Sequence, residues 1–365
     1  MRVYLDHHAA TPLAPEVEAA MDAARGVAWA NPASAHAAGR AARRLLEEAR
    51  ASVAQALGAR PADLVLTSGG TEACNLGVLG LPARRVLTSR AEHPAVRAPL
   101  EARGVDLVEL ELPGGLAPEA LPLDGADLVC LQLVNHETGT VLPIERWAVQ
   151  CRAAGVPLFV DACQALGKVP VDVGALGASA VAVAASKIGG PAGAGALWIA
   201  RDTEVAPLIL GGAQERGRRA GSPAVLAAVG FGAAAGLVDA RLAAMPEVGR
   251  RRDRLEAAFS MHGPINGADG PRVATVVNAS PRGWSGPRLV AALDVEGVMT
   301  SHGAACSSGV DEPSAVVRAM HPGEPWRAEA ALRASLSPTT TDAEIEHAIA
   351  VLEAVLARKK SSSEF

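Results

Sequence analysis

Two runs of the sequence decide the fold: Val156-Pro-Leu-Phe-Val-Asp-Ala-Cys-Gln164, and after it Ala180-Val-Ala-Val-Ala-Ala-Ser-Lys187. Each begins as an apolar segment of strand length and ends in a polar turn. The first delivers Asp161-Ala-Cys-Gln164 and the second Ser186-Lys187. The arrangement recurs outward along the chain. Candidate strands at Leu64–Thr67, Arg85–Ser89, Asp127–Val134, Leu158–Asp161, Ala180–Ala184 and Gly195–Ile199 alternate with stretches of helical period. That alternation predicts an α/β protein with a mostly parallel sheet. In open α/β sheets ligands collect at the carboxyl ends of the strands. Those ends carry Ser68-Gly-Gly-Thr71, Glu92-His93, Asn135-His-Glu-Thr-Gly139, Asp161-Ala-Cys-Gln164 and Ser186-Lys187.

The helical stretches are equally readable. In His36–Leu57, Ala42, Leu45, Leu46, Ala49, Val53, Ala56 and Leu57 share one face, Gly58 can close the segment and Pro61 follows. A short helix is expected over Glu72–Leu79. Beyond Ser222 the chain turns strongly helical, with candidates over Ala224–Ala244 and Glu247–Met261 and a boundary near Met245-Pro246. A last helix starts near Thr341-Asp342, where Asp342 can cap and Ile345, Ile349 and Leu352 form a stripe. The tail Lys359–Phe365 reads as a solvated end.

Composition bounds the function. With 365 residues the chain has about two domains' length and buries a large core without disulfides. Hydrophobic residues at 49% exclude disorder, and aromatics at 3% leave Ala, Val and Leu to build the core. A net charge of −5 gives no footprint for nucleic acid or an acidic membrane. The apolar run Ala178–Ala185 is far shorter than the roughly 20 residues of a membrane span. The start lacks a secretory apolar region. Five cysteines with irregular spacing and no CxxC argue against a disulfide framework or a metal site, so a cytoplasmic setting is expected.

Several residues can carry chemistry. Lysine is scarce: Lys168 and Lys187 are the lysines outside the tail. A lysine closing a buried strand is desolvated and freed for covalent catalysis, although it can also simply reach solvent. Asp161 can pair with a protonated ring nitrogen of a cofactor, or cap its loop. Gly70 and Thr71 stand where a helix N-terminus would favour a phosphate, and a Gly-rich turn alone is also just a tight turn. His93 can stack on a flat ring, move protons or cap a helix. Arg333 can fork onto a carboxylate or serve a structural ion pair. Cys74, Cys130, Cys151 and Cys163 have apolar neighbours and read as packing residues. Cys306 differs. It lies in Ser301-His-Gly-Ala-Ala-Cys-Ser-Ser-Gly309, which has no apolar period and reads as a loop. An exposed thiol near His302 can reach the thiolate state, or be incidental.

Taken in order, these segments resemble the cysteine desulfurases of the class V aminotransferase superfamily. The likeness runs from Tyr4-Leu-Asp-His-His-Ala-Ala-Thr-Pro12 and Asn31-Pro-Ala-Ser-Ala-His36 through Thr67-Ser-Gly-Gly-Thr-Glu72, Glu92-His93, Val134-Asn-His-Glu-Thr-Gly139 and Asp161-Ala-Cys-Gln164. It continues through Ser186-Lys187, Gly211-Gly-Ala-Gln-Glu-Arg-Gly-Arg-Arg-Ala-Gly-Ser222, the Cys306 segment with Glu312-Pro-Ser314, and Arg333. Any one motif is weak; all of them in register make coincidence implausible. Ala-Cys-Ser-Ser-Gly followed by Glu-Pro-Ser resembles the group I, long-loop branch.

The resemblance implies a fold-type I scaffold that binds pyridoxal 5'-phosphate. It implies a large domain over 12–245, with a mostly parallel sheet flanked by helices, and a smaller α+β domain from 1–11 and 246–365 carrying Cys306. It implies that Lys187 holds the cofactor covalently and shuttles the Cα proton. Asp161 would pair with the ring nitrogen, Gln164 would bond the phenolic oxygen, and His93 would stack on the ring and assist proton transfer. Gly70 and Thr71 would hold the phosphate, joined by Ser222 of the partner in a homodimer. Asn135 and Arg333 would bind the substrate. Cys306 would attack the sulfur of L-cysteine, leaving alanine and a persulfide for a sulfur-acceptor protein, in iron-sulfur cluster or thio-cofactor supply. The resemblance implies no metal. Three positions depart from the family: Ser186 where His is usual, Ala184 where Ser is common, and His136 in place of the second Asn. All three lie near the cofactor in the family, and Ser186 can still donate to a phosphate. Selenocysteine lyase, a class V aminotransferase-like enzyme and a non-catalytic sulfur-relay partner stand as alternatives; the second of these needs no Cys306.

Overall fold

A computed structural model describes residues 1–303 and 312–360. Its strands in chain order are β1 (Val3–Tyr4), β2 (Leu64–Thr67), β3 (Arg85–Thr88), β4 (Asp106–Glu109), β5 (Leu128–Gln132), β6 (Leu158–Asp161), β7 (Ala180–Ala184), β8 (Gly195–Ile199), β9 (Val276–Ala279), β10 (Val298–Met299) and β11 (Leu332–Ser335). Seven of them form one sheet in the order β2-β8-β7-β6-β5-β3-β4. The pairs from β7 to β4 are parallel, and β8 alone runs against both its neighbours. The mostly parallel sheet is therefore present, with every expected strand in it.

The physical reason is visible in β5, β6 and β7. Each is buried along its whole length, as strands covered by helices on both faces must be. Ala and Val suit such strands because they fill little depth between the layers. The helix Gly70–Gly80 lies so close to the sheet that a Cβ at Gly77 would sit 2.3 Å from the Phe159 ring. The helix Ala37–Ala56 buries Ala42, Leu46, Ala49 and Val53, as its stripe predicts. His36 stands outside it as the cap, its Nδ1 accepting the Gly39 N–H at 3.2 Å.

A second core gathers Val3, Leu5, Met245, Val248, Leu255, Phe259, Val277, Leu289, Leu332, Ile345 and Leu352. Around it β1 pairs with β10 in parallel and β9 with β11 in antiparallel. The expected helix break at Met245-Pro246 is corrected by the structure. One helix runs from Val238 to Ser260 straight through Pro246. Pro246 is exposed, so water can satisfy the carbonyl that its missing N–H leaves behind. The break falls earlier, between the helices Val225–Ala235 and Val238–Ser260, with a bend of 53°. Val238 still packs in the sheet's core, whereas Met245 and Val248 pack in the second. Among the described residues no single helix is long and apolar enough to cross a membrane.

Candidate active site

The carboxyl ends of β2, β5, β6 and β7 open on one cleft of about 790 Å3. From β2 the chain passes directly into the helix Gly70–Gly80, so Gly70 and Thr71 line the cleft with the first turn of a helix. No side chain caps that turn, which leaves its N–H groups for an anion. A side chain at Gly70 would close it: its Cβ would lie 2.7 Å from Cys163 Sγ. Ser68 N–H donates to Glu72 at 2.8 Å, and Glu72 pairs with Arg219 at 2.8 Å. The motif Gly211–Ser222 is thereby tied to the turn. Arg50 and Glu215, both buried, tie it again at 2.6 Å, with Glu215 and Arg216 held at positive φ.

Asp161 closes β6 and is buried, with Oδ1 accepting the Cys163 N–H at 2.9 Å. Gln164 lines the cleft; its Nε2 donates to His8 O at 2.8 Å and its Oε1 accepts from Lys168 Nζ at 2.6 Å. Lys168 is thus turned onto Gln164, and burial holds its amine well below the usual range. Of the two lysines outside the tail, Lys187 is the one that lines the cleft. It is half-buried, with Nζ donating to His8 O at 3.1 Å and to Ala9 O. Ser186 and Ala184 line the cleft beside it.

His93 both caps a helix and faces the cleft. Its Nδ1 accepts the Ala95 N–H at 3.0 Å, so the neutral ring carries its proton on Nε2. Burial lowers its pKa against the pull of Asp161. The His136 ring meets it edge-on, centroids 5.0 Å apart. His136 is buried and held neutral by desolvation, with Nδ1 making no hydrogen bond among the described residues. Arg333 comes from β11, across the boundary between the two cores. Its guanidinium donates to Asp6 at 2.7 Å and to His136 O at 3.0 Å, and its buried Nε has no partner among the described residues. A buried donor left open beside a cleft suits a carboxylate ligand.

Two expected residues lie elsewhere. Asn135 is buried but does not line the cleft. Its Oδ1 accepts the N–H groups of Glu137 and Thr138, and its Nδ2 donates to Ala91 O at 3.0 Å, so it holds the turn. Ser222 lines a separate cavity beside Thr67, Ser68 and Arg219. Cys306 lies outside the described residues. The chain on either side of it is well placed: Ser301 exchanges both backbone hydrogen bonds with Arg333, at 2.7 and 3.0 Å. Ser314 Oγ donates to the buried Glu137 at 2.5 Å. Ser301 is therefore fastened to Arg333, which lines the cleft, and Ser314 to the buried Glu137.

Other residues entered the site without being singled out from the sequence. His8 lines the cleft, donates from Nδ1 to His136 O at 3.3 Å and bonds Thr275 Oγ1 through Nε2 at 2.9 Å. Its signal was the tandem His7-His8 in the opening motif. Cys74 and Cys163 are buried as expected of packing residues, yet both line the cleft. The buried histidines carry a prediction. Desolvation lowers His8 and His136 well below the ordinary 6.5, and His7 to about 4. The unfolded chain takes up these protons first, so the histidines' contribution to stability is full above pH 6.5 and falls as the pH drops below it. Burial raises Glu92 and Glu137, which act in the opposite sense but are fewer. The expected net loss is about 1.4 kcal/mol per pH unit below 6.5 for each proton in excess. Urea unfolding at pH 7.0 and 5.5 checks it; equal midpoints would show that these histidines are not buried neutral.

The residues present fit a flat phosphorylated pyridine. An uncapped helix turn offers N–H groups, a buried carboxylate faces the cleft, and one amine and three imidazoles face it too. The comparisons with known proteins agree with this chemistry. A sequence model described as aminotransferase class-V matches residues 3–347. The chain is 38% identical to an IscS-like cysteine desulfurase of Mycobacterium tuberculosis, over 99% of this chain and 98% of that one. It is 37% identical to a cysteine desulfurase of Cereibacter sphaeroides, over 100% and 98%. Among solved structures it superposes on a NifS-like protein with a TM-score of 0.86 at 27% identity, covering 98% of this chain and 100% of that one. SspA in complex with cysteine gives 0.77 at 27% identity, over 93% and 100%.

Proposed function

Since the chain belongs to the cysteine desulfurases of the class V aminotransferase family, we propose that it converts L-cysteine to L-alanine and collects the sulfur as a persulfide on Cys306. The supporting observation is that the described residues Ser301 and Ser314, which flank Cys306 in the sequence, are fastened to Arg333 and Glu137. An extended chain from Ser301 spans at most roughly 17 Å to Cys306, which keeps the thiol within range of the cleft.

Pyridoxal phosphate, when bound, supplies an electron sink that makes the substrate Cα–H acidic. Lys187 anchors it and carries the proton removed from Cα. Asp161 would hold the ring nitrogen protonated, and Gln164, its amide fixed by Lys168, would bond the phenolic oxygen. Gly70, Thr71 and Ser186 receive the phosphate. His93, its Nε2–H free of the helix cap, would pack on the ring of the bound cofactor, with the His136 ring edge-on to it. Arg333 receives the substrate carboxylate. The Cys306 thiolate attacks the substrate sulfur; the S–S bond forms as the C–S bond breaks, and the carbon that loses sulfur takes up a proton.

The Arg333 assignment predicts a split in the kinetics. Arg333→Gln should raise KM for L-cysteine about 10- to 100-fold, the worth of a charge-assisted bidentate contact, with a smaller change in kcat. Steady-state kinetics check it, and an unchanged KM would place the carboxylate elsewhere.

The active unit we propose is a homodimer in which Ser222 completes the partner's phosphate site. Leu208, Ile209 and Leu210 support this reading: they form an exposed apolar run on the same segment, with Leu210 79% exposed. A sulfur-acceptor protein, a cytoplasmic setting and a small domain of 1–11 and 246–365 complete the proposal. Assays of alanine and sulfide with L-cysteine test the reaction, and selenocysteine as competitor tests its substrate preference.

A further inference from the structure

The floor of the cleft brings together three groups that the reaction does not use as a set. Cys74 lies on the helix Gly70–Gly80, one turn beyond Gly70, and Cys163 lies two residues past Asp161. Their sulfurs and a carboxylate oxygen of Asp161 all lie within 4.8 Å of one another. Among the described residues no other group of His, Cys, Asp and Glu meets this spacing. All three are buried, and all three line the cleft.

We propose that Cys74, Cys163 and Asp161 bind a thiophilic divalent cation of the zinc class when the cofactor is absent. Tetrahedral zinc holds sulfur at about 2.3 Å and carboxylate oxygen at about 2.0–2.2 Å, which sets its ligand atoms roughly 3.5–3.8 Å apart. The three atoms reach that spacing by closing at most about 1.3 Å. Two sulfurs select a soft ion over magnesium or calcium. The Cys163 N–H on Asp161 Oδ1 orients the carboxylate as an outer-shell hydrogen bond does in metal sites, and leaves its second oxygen for the ion. The fourth position faces the cleft, where water can fill it.

Binding releases the thiol protons to solvent. Asp161 cannot hold both the ion and a ring nitrogen, so cation and cofactor exclude each other. That exclusion rests on the placement of Asp161 under the proposed function; the three-ligand site does not.

Cobalt(II) tests both parts, added to the full chain freed of cofactor and to the chain loaded with pyridoxal phosphate. The cofactor-free chain should take up one equivalent with a thiolate-to-cobalt charge-transfer band that zinc(II) abolishes. The band should persist in Cys306→Ser and Cys151→Ser and vanish in Cys74→Ala and in Cys163→Ala, with circular dichroism confirming the fold of each. Should one of the two alanine variants fail to fold, the other carries the test. Absence of the band, its survival in a folded Cys74→Ala or Cys163→Ala protein, or its loss in Cys306→Ser would overturn the site. The loaded chain should retain no cobalt through gel filtration. Cobalt bound there in equal amount, with the cofactor still in place, would overturn the exclusion and the placement of Asp161 while leaving the ligand set standing.

Discussion

Lys187→Ala yields a protein that no longer holds pyridoxal phosphate covalently and has lost at least about 10³-fold of its activity. The expectation is sharp because the alternative amine is so well defined. Lys168 is buried, bonded to the backbone and side chain of Gln164, and does not line the cleft. Lys168→Ala should therefore keep the yellow holoenzyme, although Gln164 loses the group that fixes its amide. Borohydride reduction followed by peptide mapping separates the two. The label belongs on the Lys187 peptide; a label on the Lys168 peptide would remove the cofactor assignment.

Cys306→Ala separates the halves of the chemistry. Cofactor binding and Cα–H acidity depend on groups of the sheet's strand ends, while C–S cleavage needs a thiolate at the substrate sulfur. The variant should keep its colour and still change its spectrum with L-cysteine. Sulfide and alanine production should fall on the order of 10³-fold or more, as when a catalytic nucleophile is deleted. Cys130→Ala and Cys151→Ala should instead cost stability more than rate, because both thiols are buried outside the cleft. Full sulfide release by Cys306→Ala would remove Cys306 from the C–S cleavage step.

The strands of the main sheet were legible because burial on both faces leaves continuous Ala, Val and Leu runs, as in β7. β4 was not: its residues are half-buried or exposed at the sheet's edge, and Asp106-Leu-Val-Glu109 has no such run. Nor were β1 and β10, two residues each, whose pairing of Val3 with Val298 brings the start of the chain into the second core. Pro246 misled because its exposure on the helix, which makes it tolerable, is a tertiary fact.

The site divides in the same way. Asp161, Lys187, His93 and Gly70 were readable because each directly follows a strand or opens a helix, where the fold must deliver it to the cleft. His8, Cys74 and Cys163 were not, since only packing brings the N-terminal strap and the inner face of the helix Gly70–Gly80 to that place. Asn135 was assigned to the substrate through the resemblance, and the turn it stabilises takes up its amide.

One measurement bears directly on the central claim: mass spectrometry of the Cys306 peptide after a single turnover of the holoenzyme with L-cysteine, with alanine counted in the same sample. The account predicts one additional sulfur atom on that peptide and an equal amount of alanine. Alanine formed with the Cys306 peptide unmodified, or an oxo-acid product in place of alanine, would contradict it.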